Sequence, residues 1–242
     1  MTDAHAMQVV ISQSMYFPWV GLLEQVRLAD VFVHYDDVQY TRGFFNRVQA
    51  KTAAGPSWLT VPLSAQHRGQ TIDEVRLDYA QDWRSRHRAI LKQAYGAAPH
   101  RAAMLAVVDQ VLDHKPDTLA DLGRSSMVAL AEFFGLLGPR QFVDSRSLGI
   151  AGASSQRLRD IVRALGGTTY ITGHGASNYL DHGLFEASGI AVRYMNYLQT
   201  PYPQLHGPFT PFVSALDLIA NCGREGVQYI HSETVSWREF KK

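Results

Sequence analysis

Two short segments of the chain concentrate residues able to do chemistry. Gln13, Tyr16, Pro18 and Trp19 crowd the first, and Asp36, Asp37, Gln39 and Tyr40 the second. An aromatic shelf beside amides and carboxylates suits a sugar or a nucleobase, which stacks on its faces and hydrogen-bonds at its edges. Paired carboxylates can supply a general base, bind a cation or hold substrate hydroxyls. Adjacent residues leaving a strand point to opposite faces, so only one of Asp36 and Asp37 is expected to face a pocket. The competing reading makes Tyr16 and Trp19 core residues and the aspartates turn caps. It is the weaker one, because an aromatic-rich loop after a strand is a poor core element and Pro18 stiffens the backbone beside Trp19.

Two further groups stand out. Asn46 and Arg47 follow the second segment and, with Gln39 and one of the aspartates, are expected to line one cavity with Tyr16 and Trp19, where the arginine could grip a carboxylate or phosphate bidentately. Later, Gly173-His174-Gly175-Ala176-Ser177-Asn178-Tyr179 sits between an apolar strand pattern and a helical one. Glycines at such a turn let backbone N–H groups approach an anion at the next helix N-terminus, with His174 and Ser177 as an acid–base pair. A plain glycine turn with Ser177 or Asn178 as helix cap is an equal reading. The run is neither a dinucleotide fingerprint nor a Walker loop. The ten histidines are scattered without ligand spacing, so no metal site is read. The single cysteine, Cys222, excludes an internal disulfide framework and reads as a buried, inert thiol at a helix end.

Elements must position these groups. Gln8–Ile11, an amphipathic Gly21–Ala29 and Val31–Tyr35 form a strand–helix–strand unit, which predicts two parallel strands. Thr41–Ser57 reads as irregular or a hairpin, with strands at Trp58–Leu63 and Val75–Tyr79. Helical spacing covers Trp83–Tyr95, with Asp82 as N-cap, then Pro99–Leu112 and Pro116–Leu136. A second alternating run follows: strand Gln141–Asp144, helix Ser154–Leu165, strand Thr168–Thr172, a short helix through Phe185, and strand Ile190–Tyr194. Leu216–Ala220 reads as helix, and the tail is charged. The expected fold is α/β: one domain over 1–242 with a mostly parallel, Rossmann-like sheet, flanking helices and a helical lobe at 83–136. Groups at the carboxyl ends of parallel strands share one edge, so the 13–19 and 173–178 loops should meet across a crevice.

The 242 residues carry 23 Lys and Arg against 22 Asp and Glu, a net charge of +1. Near-neutrality argues against a protein that coats nucleic acid. Hydrophobic residues at 46% and charged residues at 19% are globular proportions, and a chain this long buries about 70–75% of its unfolded surface. Met1–Met7 has neither a basic nor a long apolar region of a leader, and no apolar run reaches membrane-spanning length. A soluble, cytoplasmic protein is the expectation.

The ordered run Ile11–Gly21, Ala29–Tyr40, Asn46-Arg47, Trp58–Pro62, Tyr170–Gly173, Tyr179-Leu180 and Pro211–Asp217 resembles the WbqC-like family across nearly the whole chain. Ser14 stands where the family pattern has proline, which implies a less rigid first loop. The resemblance implies biosynthesis of bacterial O-antigen, other surface polysaccharide or secondary metabolites. It also implies a transferase that attaches an acyl or aminoacyl unit, glycyl for example, to an amino group of a sugar or small molecule. The expected partners are an amine substrate and an activated donor, aminoacyl-tRNA being the one nucleic acid left open; no cofactor is assigned. The alternatives are a nucleotide-dependent ligase or adenylating enzyme and a non-catalytic sugar- or peptide-binding module. The first unit distantly resembles nucleotidylyltransferases, but their paired histidines are replaced around Trp19 and Gly21.

Overall fold

The computed structural model describes residues 6–240; residues 1–5 of the stretch read for a leader, and residues 241–242, lie outside them. Strand β1 (Gln8–Ser12), helix α1 (Val20–Leu28) and strand β2 (Val31–His34) form the first unit, and the strands pair in parallel with Val10 opposite Phe32. Strands β3 (Arg47–Thr52) and β4 (Gly55–Thr60) form an antiparallel hairpin. Helices α2 (Trp83–Ala94), α3 (Arg101–Leu112) and α4 (Leu119–Phe133) follow. The chain then runs β5 (Gln141–Asp144), α5 (Ser154–Ala164), β6 (Thr169–Thr172), α6 (His182–Glu186) and β7 (Ala191–Met195). Helix α7 (Ala215–Cys222), strand β8 (Thr234–Ser236) and helix α8 (Trp237–Phe240) end it.

The main sheet has the order β5-β2-β1-β6-β7-β8, parallel except for the antiparallel edge strand β8. The mostly parallel α/β fold read from the sequence is the fold observed. Residues along each strand alternate between two cores. Val9, Ile11, Val31, Val33 and Tyr170 pack with α5 and α6 on one face. Val10, Phe32 and Ile171 pack on the other, in a cluster that continues through α1, the hairpin, α2–α4 and α7. Burial on both faces explains the continuous apolar runs that mark these strands.

Several local expectations change. Val75–Tyr79 is not a strand: Arg76 and Leu77 each make only a single bridge, to Thr118 and Leu63. The strand expected at Trp58–Leu63 begins earlier, at Gly55, and ends at Thr60, because it pairs with β3 across the turn at Ala53-Ala54 and its last partner, Arg47, stands opposite Thr60. Helix α4 starts at Leu119, since Thr118 and Asp121 cap each other there. The charged tail contributes β8, whose short run carries little strand signal. Cys222 is half-buried, not fully buried; burial nonetheless pushes its thiol up. Asp82 caps α2 through the Ser85 N–H, as its position suggests.

Candidate active site

In the sheet, the chain leaves β1 toward β2 and β5 on one side and returns to β6 on the other. The switch point between β1 and β6 is where a doubly wound sheet opens a crevice. A cavity of about 790 Å³ lies there, and Ser12, Gln13, Thr172 and Gly173 at the ends of these two strands line it. Tyr35, Asp37, Gln39 and Thr41 from the end of β2 close one side, and Gly152, Ala153, Ser154 and Arg157 at the start of α5 another. Gln25, Gly175 and Tyr179 complete its polar wall.

A buried network sets this geometry. Ser14 donates to Asp36 twice, from its backbone N–H to Oδ1 at 2.8 Å and from its hydroxyl to Oδ2 at 2.8 Å. Since the hydroxyl proton is spent there, His34 Nδ1, 2.9 Å away, is the donor to Ser14 Oγ. Arg124 on α4 joins Asp36 (Nε, 2.7 Å) to Asp144 at the end of β5 (Nη1, 2.7 Å). Helix α4 can come this close because residue 123 is glycine: a Cβ there would sit 2.8 Å from Ser14 Cβ and 2.9 Å from Met15 N. Burial pushes the Asp36 carboxyl up, while the bonds from Ser14 and Arg124 hold it back. Asp36 is therefore fully buried and off the cavity wall, away from the pocket position that its reading as a catalytic candidate gave it. Ser14 ties the first loop to Asp36 with two hydrogen bonds, so the loop is not the looser one its replacement of proline implied.

The next residues along each segment point the other way. Gln13 and Asp37 reach the cavity, as alternation requires when Ser14 and Asp36 turn inward. Asp37 Oδ1 accepts from Ser145 Oγ at 2.6 Å, and Oδ2 from Arg157 Nη2 at 2.5 Å. Arg157 also donates from Nε to the Ile150 carbonyl and lies 5.0 Å over the Tyr35 ring. Burial pushes the Tyr35 hydroxyl up, against the Arg157 charge. Asp37 is the one acidic side chain on this wall, and Arg157 the one cation. Around them Gln13, Gln25 and Gln39 keep side-chain amides that no described residue engages. Ser154, on the rim, has a φ of +55°, a strained value for a residue with a side chain.

The remaining sequence candidates divide. Gly173, Gly175 and Tyr179 line the cavity, but His174 does not. Its Nε2 donates to the Met195 carbonyl at 2.8 Å and its ring lies 4.9 Å from Phe240, so the imidazole is turned to the end of β7. Ser177 donates to the His174 carbonyl and caps no helix: the loop expected here holds a 3₁₀ turn, His174–Asn178, and the short helix expected through Phe185 is α6, capped by Asp181. Ser177 and Asn178 stay off the wall. Tyr16 is buried, its hydroxyl 3.0 Å from His87 Nδ1, and with Trp19 and Arg47 it lines a different, aromatic cleft. Asn46 spends its amide on the Val61 carbonyl. The site expected as one pocket is thus two, on either side of the Gln13–Trp19 loop. Arg157, Tyr35 and Gln25 were missed, although Gly149–Ala153, small-residue-rich and placed between β5 and α5, carries the signature of a strand-to-helix turn. Among the described residues no cluster of three or more His, Cys, Asp or Glu forms a metal-ligand set. Arg157 and the amides are the groups able to hold a charged cofactor portion.

The residue matches now have an independent counterpart. The family model for the WbqC-like protein family matches residues 13–229, nearly the whole of the segment that builds both cavities. The chain belongs to the WbqC-like protein family. It is also 33% identical over 227 residues to the uncharacterized protein Rv1507c of Mycobacterium tuberculosis (strain ATCC 25618 / H37Rv), across 92% of this chain and 97% of that one. No solved structure matches the chain. Among the described residues no helix is long and apolar enough to cross a membrane.

The buried histidines make the fold sensitive to acid. Burial, then the Arg124 charge, pulls His34 down to about 4, and burial brings His87 to about 4 as well. In the unfolded chain each takes a proton near its ordinary 6.5. Between these values the unfolded chain binds more protons, so stability present above pH 6.5 is lost as pH falls toward 4. At about 1.4 kcal/mol per unit, the loss reaches several kcal/mol for the pair. Thermal unfolding measured across this window should show Tm falling steeply, with the slope reduced in His87→Gln. A flat profile would show that the rings stay charged inside the fold.

Proposed function

We propose that the switch-point cavity catalyses transfer of an acyl or aminoacyl unit to an amino group of a sugar or small molecule, in bacterial surface-polysaccharide or secondary-metabolite biosynthesis. The observation that carries this reading is a single carboxylate, Asp37, set among three unengaged side-chain amides in a polar cavity. Neutral amides both donate and accept, which suits the hydroxyls of a sugar. The amine nitrogen would attack the acyl carbonyl carbon as the bond to the donor's leaving oxygen or sulfur breaks with its electron pair. Asp37 would take the amine proton and pass it to the leaving group. Arg157, held by Asp37 and Ile150, keeps further N–H donors for a carboxylate or phosphate of the donor.

The test is direct. Purified protein is incubated with amino sugars and with glycyl thioester or glycyl-tRNA, and products are weighed by mass spectrometry. A product heavier by one glycyl unit, absent without protein, is the expected result. Consumption of ATP to AMP or ADP with no transfer from a preactivated donor would favour the ligase alternative and overturn this one.

A further inference from the structure

The second cleft, of about 490 Å³, is unlike the first. Its wall is aromatic: Trp19, Phe44, Trp58 and Phe212 face it, above Tyr16 at the floor. Phe44 is 60% exposed, Trp58 41% and Phe212 61%, a patch of apolar surface left open to water. Phe212 holds a φ of +61° at the lip, edge-on to Trp19 at 5.3 Å. It belongs to 196–213, a segment without regular secondary structure between β7 and α7. Irregular segments of this length are usually functional loops or linkers.

Arg47 carries the one charge on this wall. Its guanidinium stacks 4.7 Å from the Trp58 ring centre and 5.8 Å from Phe44, which themselves stack at 6.0 Å. Arg27, Arg88, Arg124, Arg146 and Arg157 each face a carboxylate. No described residue takes a hydrogen bond from the Arg47 guanidinium. A cation fixed by ring faces and left with all its donors is preorganised for a planar anion.

We infer that this cleft is a second ligand site, for a flat aromatic ring bearing a phosphate or carboxylate, with the ring stacked on the exposed aromatic faces and the anion on Arg47. The inference stands apart from the transfer chemistry, because it requires only binding. Isothermal titration calorimetry on the full chain tests it with adenosine 5′-monophosphate and benzoate, two sources of the same chemistry, and with octanoate as the aliphatic control. Saturable binding of at least one aromatic anion is expected, weakened roughly tenfold or more in Arg47→Ala and in Trp58→Ala. Both positions are solvent-facing, so these variants should fold, and Phe44→Ala is a third should either fail. Nucleotide binding alone would identify a nucleotide as the occupant, and benzoate binding alone an aromatic acid. Absence of binding by both, equal binding of octanoate, affinity unchanged in Arg47→Ala, or a loss produced instead by Gln39→Ala in the first cavity would each overturn the inference.

Discussion

Replacing Asp37 by Asn should lower the proposed transfer by about 10²–10⁴-fold, the usual contribution of a positioned general base, the role proposed for it. The fold should survive. Asn keeps one oxygen, which can accept from Arg157 while the amide N–H turns to the Ser145 hydroxyl oxygen, and Arg157 keeps the Ile150 carbonyl and the Tyr35 face. The ion pair is nonetheless well shielded, with side chains 8% and 11% exposed. A cost of about 1–2 kcal/mol is therefore expected, a fall of a few degrees in Tm. Initial rates by mass spectrometry and thermal unfolding on the same preparation separate the two effects. Full activity in the variant, or loss of activity only in step with loss of the fold, would make Asp37 a structural residue.

The largest effect on stability should come from Arg124→Met. The substitution strands Asp36, which is fully buried, and removes the clamp between the ends of β2 and β5. Breaking a buried pair by deleting one partner costs about 3–5 kcal/mol, since the other charge stays in place without compensation. For a domain of this size that is a fall of roughly ten degrees or more. One guanidinium nitrogen, Nη2, is already buried without a partner, so a share of the penalty is present in the native protein. The double variant Asp36→Asn with Arg124→Met should be less damaged than the sum of the singles, because both act on one interaction. Additive losses, or a shift of only a degree or two for Arg124→Met, would show that the pair contributes like a surface contact.

The parallel sheet was legible in the sequence because both of its causes are local. Apolar runs such as Val31–Val33 mark strands buried on two faces, and the helix between each pair of strands leaves only a crossover connection. From parallel strands it follows that Gln13, Gln39 and Gly173 reach one edge, and those three do line one cavity. Tyr16, Trp19 and Arg47 were assigned to that same pocket on proximity along the chain alone. They sit elsewhere because Ser14 is pinned to Asp36, and the chain beyond it turns under the hairpin. His174 fails for a similar reason: its glycine neighbours lie on the wall, but its ring follows a carbonyl at the end of β7.

The sequence by itself determined the alternating strands and helices of the parallel sheet, the family, and the edge at which the strand ends share a cavity. Periodicity reports which side of a strand or helix is buried, and the turn residues report where it stops. Tertiary structure alone decided which of two adjacent aspartates borders the cavity and which meets Arg124, a partner 88 residues away. It alone placed Arg157 against Asp37 across 120 residues. Such pairs depend on the packing distance between helices and sheet, set here by a glycine where α4 touches Ser14, and no local pattern encodes a distance between segments that meet only on folding.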